Sequence, residues 1–384
     1  MRARVPRQLR EESGFALAMA VFALVLLAAV VASGYFSASQ EFQIGRSMRS
    51  VTTSFYSGEA GILQVLDQWD PGVYGALQPG DTLVVGPVTF EGGGSYTASI
   101  ERVGSDSVKR YYYIEVVGRP PGQNQGQRRQ AAIVRTWVPD ICCGAAVKII
   151  ELVSFGGGAQ PIITGLNNDP PGSWPASVCA GYIEDDVPGV VRSSAGNVND
   201  PSRVTGYPAD IVADATLSQS TLFDFGDLTY DDLAALADIQ LPDSFVFGGS
   251  QPTVVDGECD TSSPLNWGAP NDPSSPCFKY FPIIHANGSI TLSGSGGGQG
   301  ILLADEDLKM NGPFEFYGIV MVKDDLSLGG PVDVYGAAYV GDDMFISGAT
   351  PRFWYSSCAA QRAVHLSKLA RPRLLPQRAW IELF

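Results

Sequence analysis

Apolar and polar positions divide this chain into stretches of different period. No charged residue stands between positions 13 and 40, and positions 15–36 are apolar almost throughout. A membrane-spanning helix needs roughly 20 such residues, so this stretch is predicted to cross a bilayer. Arg2, Arg4, Arg7 and Arg10 precede it and predict a cytoplasmic N-terminus with everything after the span outside. Ile44, Met48, Val51, Phe55, Ile62, Leu66 and Trp69 then recur at three-, four- and seven-residue steps, the period of a helix face. One helix is therefore predicted over 15–69, on the order of 80 Å long at 1.5 Å per residue. Its outer half should lay an apolar stripe on a sheet.

The period then shortens to two. Tyr96, Ala98 and Ile100 alternate with more polar neighbours, as do Tyr112, Ile114 and Val116. Alternation of this kind predicts a half-buried antiparallel sheet over 70–140, with strands at 82–90, 95–103, 108–117 and 128–138 and a hairpin loop at 118–126. Residues 139–144 mark a boundary. Residues 141–282 are expected to form a loop-rich insert, crowded from 167 to 280 with Asp, Pro, Asn and Ser, with one short helix at 229–239.

The last third repeats. Gly294, Gly312, Gly330 and Gly348 fall 18 residues apart without a gap, and Ile290, Leu308, Leu326 and Met344 share another column, as do Leu292, Met310, Leu328 and Ile346. Gapless repetition marks stacked units with one continuous core. Eighteen residues with two-residue alternation and a glycine corner suit one coil of a β-solenoid with three short strands. Four coils are predicted over 283–355, with 356–384 as a cap or tail. A sandwich of short hairpins is the competing fold. The expected class is α+β: a long N-terminal helix on a small antiparallel sheet, then a mainly-β C-terminal domain.

Composition narrows the function. The 384 residues carry 44 Gly, 26 Pro and only 17% charged residues against 45% apolar, the balance of a turn-rich β protein with real cores. The formal charge of -15 argues against nucleic acid, which rewards clustered Lys and Arg. The six cysteines, Cys142, Cys143, Cys179, Cys259, Cys277 and Cys358, lack the paired CxxC spacing of a zinc site. With an exported chain, disulfides are the expectation. Cys259 and Cys277 bracket one loop and form the expected local pair, while the full connectivity stays open. Adjacent Cys142 and Cys143 should not pair with each other.

The junction Ser13-Gly14-Phe15, on the cytoplasmic side of an apolar run too long for an ordinary secretory signal, resembles the prepilin signal of type IV pilins. That resemblance implies cleavage after Gly14 by a prepilin peptidase, methylation of the new N-terminal Phe15, and a 1–14 leader. The leader holds four Arg and two Glu, so its removal takes the formal charge from -15 to -17. Major pilins carry a Glu five residues into the mature chain; here Met19 stands there. The segments Gln40-Glu41-Phe42-Gln43-Ile44-Gly45-Arg46 and Phe55-Tyr56-Ser57-Gly58-Glu59-Ala60-Gly61 resemble the N-terminal region of PilX-type minor pilins. The implied protein is a minor pilin acting in pilus assembly, priming or tip adhesion. Its implied partners are other pilins and minor pilins, inner-membrane assembly proteins and the peptidase. It would sit in the bacterial inner membrane as a single-pass protein with a periplasmic C-terminal domain, extracellular once in the pilus.

Two other readings stay open: a type II secretion pseudopilin, and a membrane-tethered carbohydrate-binding or carbohydrate-processing solenoid. Catalysis is not expected. His285 and His365 are the only histidines, no metalloprotease, serine-hydrolase or phosphate-loop motif occurs, and Gly296-Gly297-Gly298 lacks the lysine a phosphate cradle needs. His285 shares a repeat column with Leu303, Met321 and Tyr339 and is expected in the core or at an edge. Glu41, Arg46 and Glu59 are expected on a solvated helix face, and Tyr111-Tyr112-Tyr113 in strand packing. Asp307, Asp325 and Asp343 share a column, with Asp324 and Asp342 beside them. Stacked about 5 Å apart, they would hold calcium or form a turn ladder. No other cofactor is expected.

Overall fold

The computed structural model describes residues 12–106, 109–122, 126–137, 141, 144–156, 162–170, 174–182, 184–226, 228–348, 350–375 and 380–383. Helix Glu12–Asp67 is continuous and about 84 Å long at 1.5 Å per residue. Its first complete burial comes at Ser54. From there Ser54, Ser57, Ile62 and Val65 press onto a sheet built from Thr82–Thr89, Ser95–Ser105, Lys109–Arg119 and Arg128–Trp137, each antiparallel to the next. Small residues set the approach. A Cβ on Gly118 would lie 2.0 Å from the Ser54 carbonyl oxygen, and one on Gly61 would lie 2.6 Å from the Tyr96 ring. Tyr96, Ala98, Ile100, Tyr112, Ile114 and Val116 face the helix, fully buried, as the two-residue alternation requires.

The sheet holds more than those four strands. Arg373–Leu374 and Trp380–Leu383 return from the chain's end and pair antiparallel with Arg128–Trp137. The C-terminal segment is thus part of the sheet rather than only a cap or tail, and the intervening head is an insertion between neighbouring strands. Pairing resolves the reason: Arg128–Trp137 would otherwise be an open edge, with unmet backbone donors and acceptors.

In the head, strands stack in parallel into a solenoid whose 18-residue coils carry two strands and not the expected three short ones: a long strand such as Phe314–Val322, bent at a positive-φ glycine, and a short one such as Leu326–Gly329. Ile290, Leu308, Leu326 and Met344 are register partners, as are Phe316 and Val334, and Tyr317 and Tyr335. Residues 141–282 are not a separate loop-rich insert. Val147–Ile149 and Leu152–Phe155 stack on the coil of Asp333–Val340 and Met344–Ser347. Val190–Ser193 and Ile211–Asp214 follow in turn, while Ile239–Leu241 and Phe245–Phe247 extend the other end, below Ile283–Ala286 and Ile290–Leu292. One side of the stack thus has eight levels, about 34 Å at strand spacing. The chain winds it in two runs that meet in a composite coil, in which Arg352–Tyr355 supplies one strand and residues 147–155 the other two. Only the second run keeps the 18-residue period, so only that run is visible as a repeat.

One side of the solenoid is apolar both inward and outward. Leu302, Ala304, Val320 and Val322 fill the interior. Ile301, Leu303, Ile319 and Met321 point outward and are buried under helix Ser357–His365 and the segments around Trp174 and Phe278. Burial on both faces explains the near-continuous apolar runs there. Two disulfides brace the covering layer: Cys179–Cys358, and Cys259–Cys277. Cys142 and Cys143 lie outside the described residues.

Candidate functional site

Gly14 and Phe15 sit in the first turns of the long helix. Phe15 is 72% exposed, and Leu17, Met19, Phe22, Leu24, Val31 and Phe36 beyond it are all more than half exposed. The best 18-residue window has mean hydropathy 2.9 and is entirely unburied. A helix this apolar, uncovered by its own chain, requires an apolar environment from outside. Farther along, Arg46 lies over the Phe42 ring at 4.4 Å, and Glu41 and Arg46 are exposed. In the tyrosine triplet, Tyr112 packs edge-on to Trp69 and donates its hydroxyl to the Tyr74 carbonyl, while Tyr111 and Tyr113 lie half-buried on the opposite face.

The aspartate column forms a ladder of caps. The Asp307 Oδ1 accepts the Asp325 amide at 3.3 Å, Asp325 Oδ1 accepts the Asp343 amide at 3.0 Å, and Asp343 Oδ1 accepts the Leu152 amide at 2.9 Å. Each carboxylate thereby satisfies the first donor of the following coil. Asp325, Asp342 and Asp343 bring one oxygen each within 4.8 Å of one another; Asp307 is outside that group. Burial, followed by the neighbouring carboxylates, raises the pKa of Asp342, and burial with the charges of Asp307, Asp343 and Asp324 does so for Asp325.

His285 is buried beside this corner, with Nδ1 2.8 Å from Gln240 Oε1 and Nε2 3.1 Å from Asp305 Oδ2. Asp305 Oδ1 in turn meets Lys323 Nζ at 3.1 Å, and the same ammonium lies 3.4 Å from Asp231 Oδ1 and 4.3 Å from the centre of the Tyr230 ring. This network floors an open cleft of about 580 Å³. One wall comes from the coil corners at Asp305 and Asp324, the other from the short helices Gln219–Leu222 and Tyr230–Ala235. Thr229 caps the second helix, its hydroxyl and amide both engaged with Asp232. The column position of His285 was legible in the sequence. The cleft was not, because Asp224, Tyr230 and Asp231 reach it from a segment with no repeat.

Gly296–Gly298 is ordinary strand, with Gly297 and Gly298 buried against Pro270 and Trp267. His365 packs against the Tyr182 ring at the junction of head and sheet, where burial and then the nearby Arg110 lower its pKa.

No protein-family model and no curated protein matches the chain. Among solved structures, the crystal structure of competence-associated pilin ComZ from Thermus thermophilus is similar at a TM-score of 0.27 and 10% identity, over 87% of this chain and 97% of that one. A similarity of that size does not establish a shared function.

Proposed function

We propose that the chain is a PilX-type minor pilin: a membrane-anchored subunit of a type IV pilus or related filament, active in assembly, priming or tip contact and not in catalysis. The observation that carries the reading is the division of the long helix. From Ser54 onward one face of it packs on the sheet, whereas positions 15–38 are exposed throughout among the described residues, and Ile44 and Met48, expected on the packed stripe, are exposed as well. A surface of that kind is satisfied first by a bilayer and then by the helices of neighbouring pilins, to which cleavage after Gly14 would release it. Met19, in place of a glutamate, separates the chain from shaft subunits. Inner-membrane assembly proteins and a prepilin peptidase are the partners this route requires. The head would lie in the periplasm, and outside the cell once assembled.

The test is incubation of the full chain with a prepilin peptidase followed by N-terminal sequencing. The expected new N-terminus is Phe15. An uncut chain, or a cut elsewhere, defeats the proposal. Loss of pili rather than of protein secretion in a deletion strain separates this role from that of a type II secretion pseudopilin.

A further inference from the structure

We propose that the sheet face turned away from the long helix docks an acidic segment of a partner protein, gripped by Arg135 and Arg373. This goes beyond the filament reading and depends only on the sheet, so it stands or falls separately from cleavage before Phe15.

Strand pairing sets the two arginines side by side. Arg373 is the register partner of Arg135 across an antiparallel pair, so both side chains leave the same face of the sheet. The alternation that buries Ala132 and Val134 under the helix turns that face outward. Both guanidinium groups lie against one indole, Arg135 at 4.6 Å and Arg373 at 4.9 Å from the centre of the Trp137 ring. Like charges directly opposite each other on a sheet are destabilising. Burial, followed by the charge of Arg135, lowers the pKa of Arg373 accordingly.

No carboxylate relieves this pair. The chain carries 40 Asp and Glu, yet among the described residues neither guanidinium makes an ion pair or donates a hydrogen bond. Asp106, on the neighbouring turn, is engaged with the Tyr111 hydroxyl at 3.1 Å and the Lys109 amide at 2.6 Å. Of the nitrogens of both groups only Arg135 Nε is closed to solvent, so their outer ends are open to a ligand. Trp137 holds the two cations in place without neutralising either. A local conflict of charge kept at this cost marks a functional surface, and two fixed guanidinium groups suit a carboxylate.

The surroundings decide between a small anion and a protein. Tyr111 is the register partner of Arg135 on its other side, Lys109 that of Trp137, and Tyr113 that of Ile133. Tyr111, Tyr113 and Ile133 are half-buried on the same outer face, so the arginines sit at the border of an apolar and aromatic surface. Arg, Tyr and Trp together are what protein interfaces concentrate at their energetic centres. A free phosphate would use the arginines and leave the rings untouched, whereas a peptide bearing carboxylates between apolar side chains uses both.

The test is calorimetric titration of the full chain in non-ionic detergent with an alternating glutamate-leucine hexapeptide, beside the lysine-leucine hexapeptide and inorganic phosphate. Saturable binding of the acidic peptide, weakened by added salt as charge pairing demands, is expected. Arg135→Gln and Arg373→Gln should each weaken it by about three- to tenfold, between the value of an exposed ion pair and that of a charge-assisted hydrogen bond. Each variant should melt at or above the parent's temperature, because it removes one of two opposed like charges. Either variant suffices if the other alters the fold. Absence of saturable binding, equal binding of the lysine peptide or of phosphate, or unchanged affinity in both variants overturns the proposal. Earlier melting of both variants would make the arginines structural props of Trp137 and overturn it too. Light scattering that finds the parent self-associated and both variants monomeric would make the occupant a second copy of this chain, and overturn it equally.

Discussion

Asp325 occupies a position where hydrogen bonding and charge pull in opposite directions. Its Oδ1 caps the Asp343 amide, while burial and the carboxylates of Asp307, Asp343 and Asp324 raise its pKa above the ordinary 3.8. The folded state therefore holds this proton to a higher pH than the unfolded chain does. Between the unfolded value and the raised one, the native state binds more protons, so stability falls as pH rises through that window. Ionisation is an unfavourable contribution at neutral pH. Asp325→Asn keeps an acceptor oxygen for the Asp343 amide and removes the charge. The expected result is a variant more stable at pH 7 by less than about 1 kcal/mol at this partly exposed site, read as a higher melting temperature, with the difference vanishing as pH falls toward the unfolded value of 3.8. A scan of melting temperature against pH for parent and variant checks it; a destabilised variant at pH 7 would show that the charge contributes something the ladder of caps does not contain, such as a bound cation.

Coils are held at strand spacing by a second glycine column, Gly300, Gly318 and Gly336, where the long strand of each coil bends. These three also lie 18 residues apart, so the signal was present in the sequence beside the column of Gly294, Gly312, Gly330 and Gly348. Gly336 has φ 146°, and a Cβ there would lie 1.7 Å from the Gly318 carbonyl oxygen. Backbone cannot yield without parting the coils. Gly336→Ala is expected to cost about 3 kcal/mol or more, measured by denaturant unfolding. Gly226→Ala, at φ 81° with open space around it, isolates the conformational part, about 1–2 kcal/mol. The long helix, the four contiguous sheet strands and the coils at 283–347 were legible because each repeats one period over many residues. The coils at 147–214 were not: their strands have two to four residues, separated by turns of unequal length, and stacking against the regular run supplies the order their own pattern lacks. The returning strands Arg373–Leu374 and Trp380–Leu383 were equally hidden, since their pairing partner lies some 240 residues earlier in the chain.

As a whole, the molecule divides its labour by charge and by solvent. Residues 15–140 hold nine Lys and Arg against ten Asp and Glu, whereas residues 141–384 hold twelve against 28, so nearly all of the net charge rides on the head. High like charge keeps such a head soluble and apart from its copies, and the near-neutral helix and sheet are left to pack against neighbours. Both ends of the head connect to the same sheet, one through Arg128–Trp137 and the other through Arg373–Leu374, which joins head and sheet by two covalent paths. The apolar half of the helix contributes to neither. Positions 15–38 are exposed throughout and complete burial begins only at Ser54, so removing positions 15–38 takes away surface without taking away packing. A chain beginning at Gln40 is expected to be monodisperse in water without detergent and to melt within about 2 °C of the full chain in detergent, since positions 15–38 are exposed throughout. Light scattering and thermal unfolding measure the two halves of the expectation. A truncated chain that melts much earlier would mean that the first half of the helix stabilises the sheet and head, and that the division between an anchoring half and a packing half is wrong.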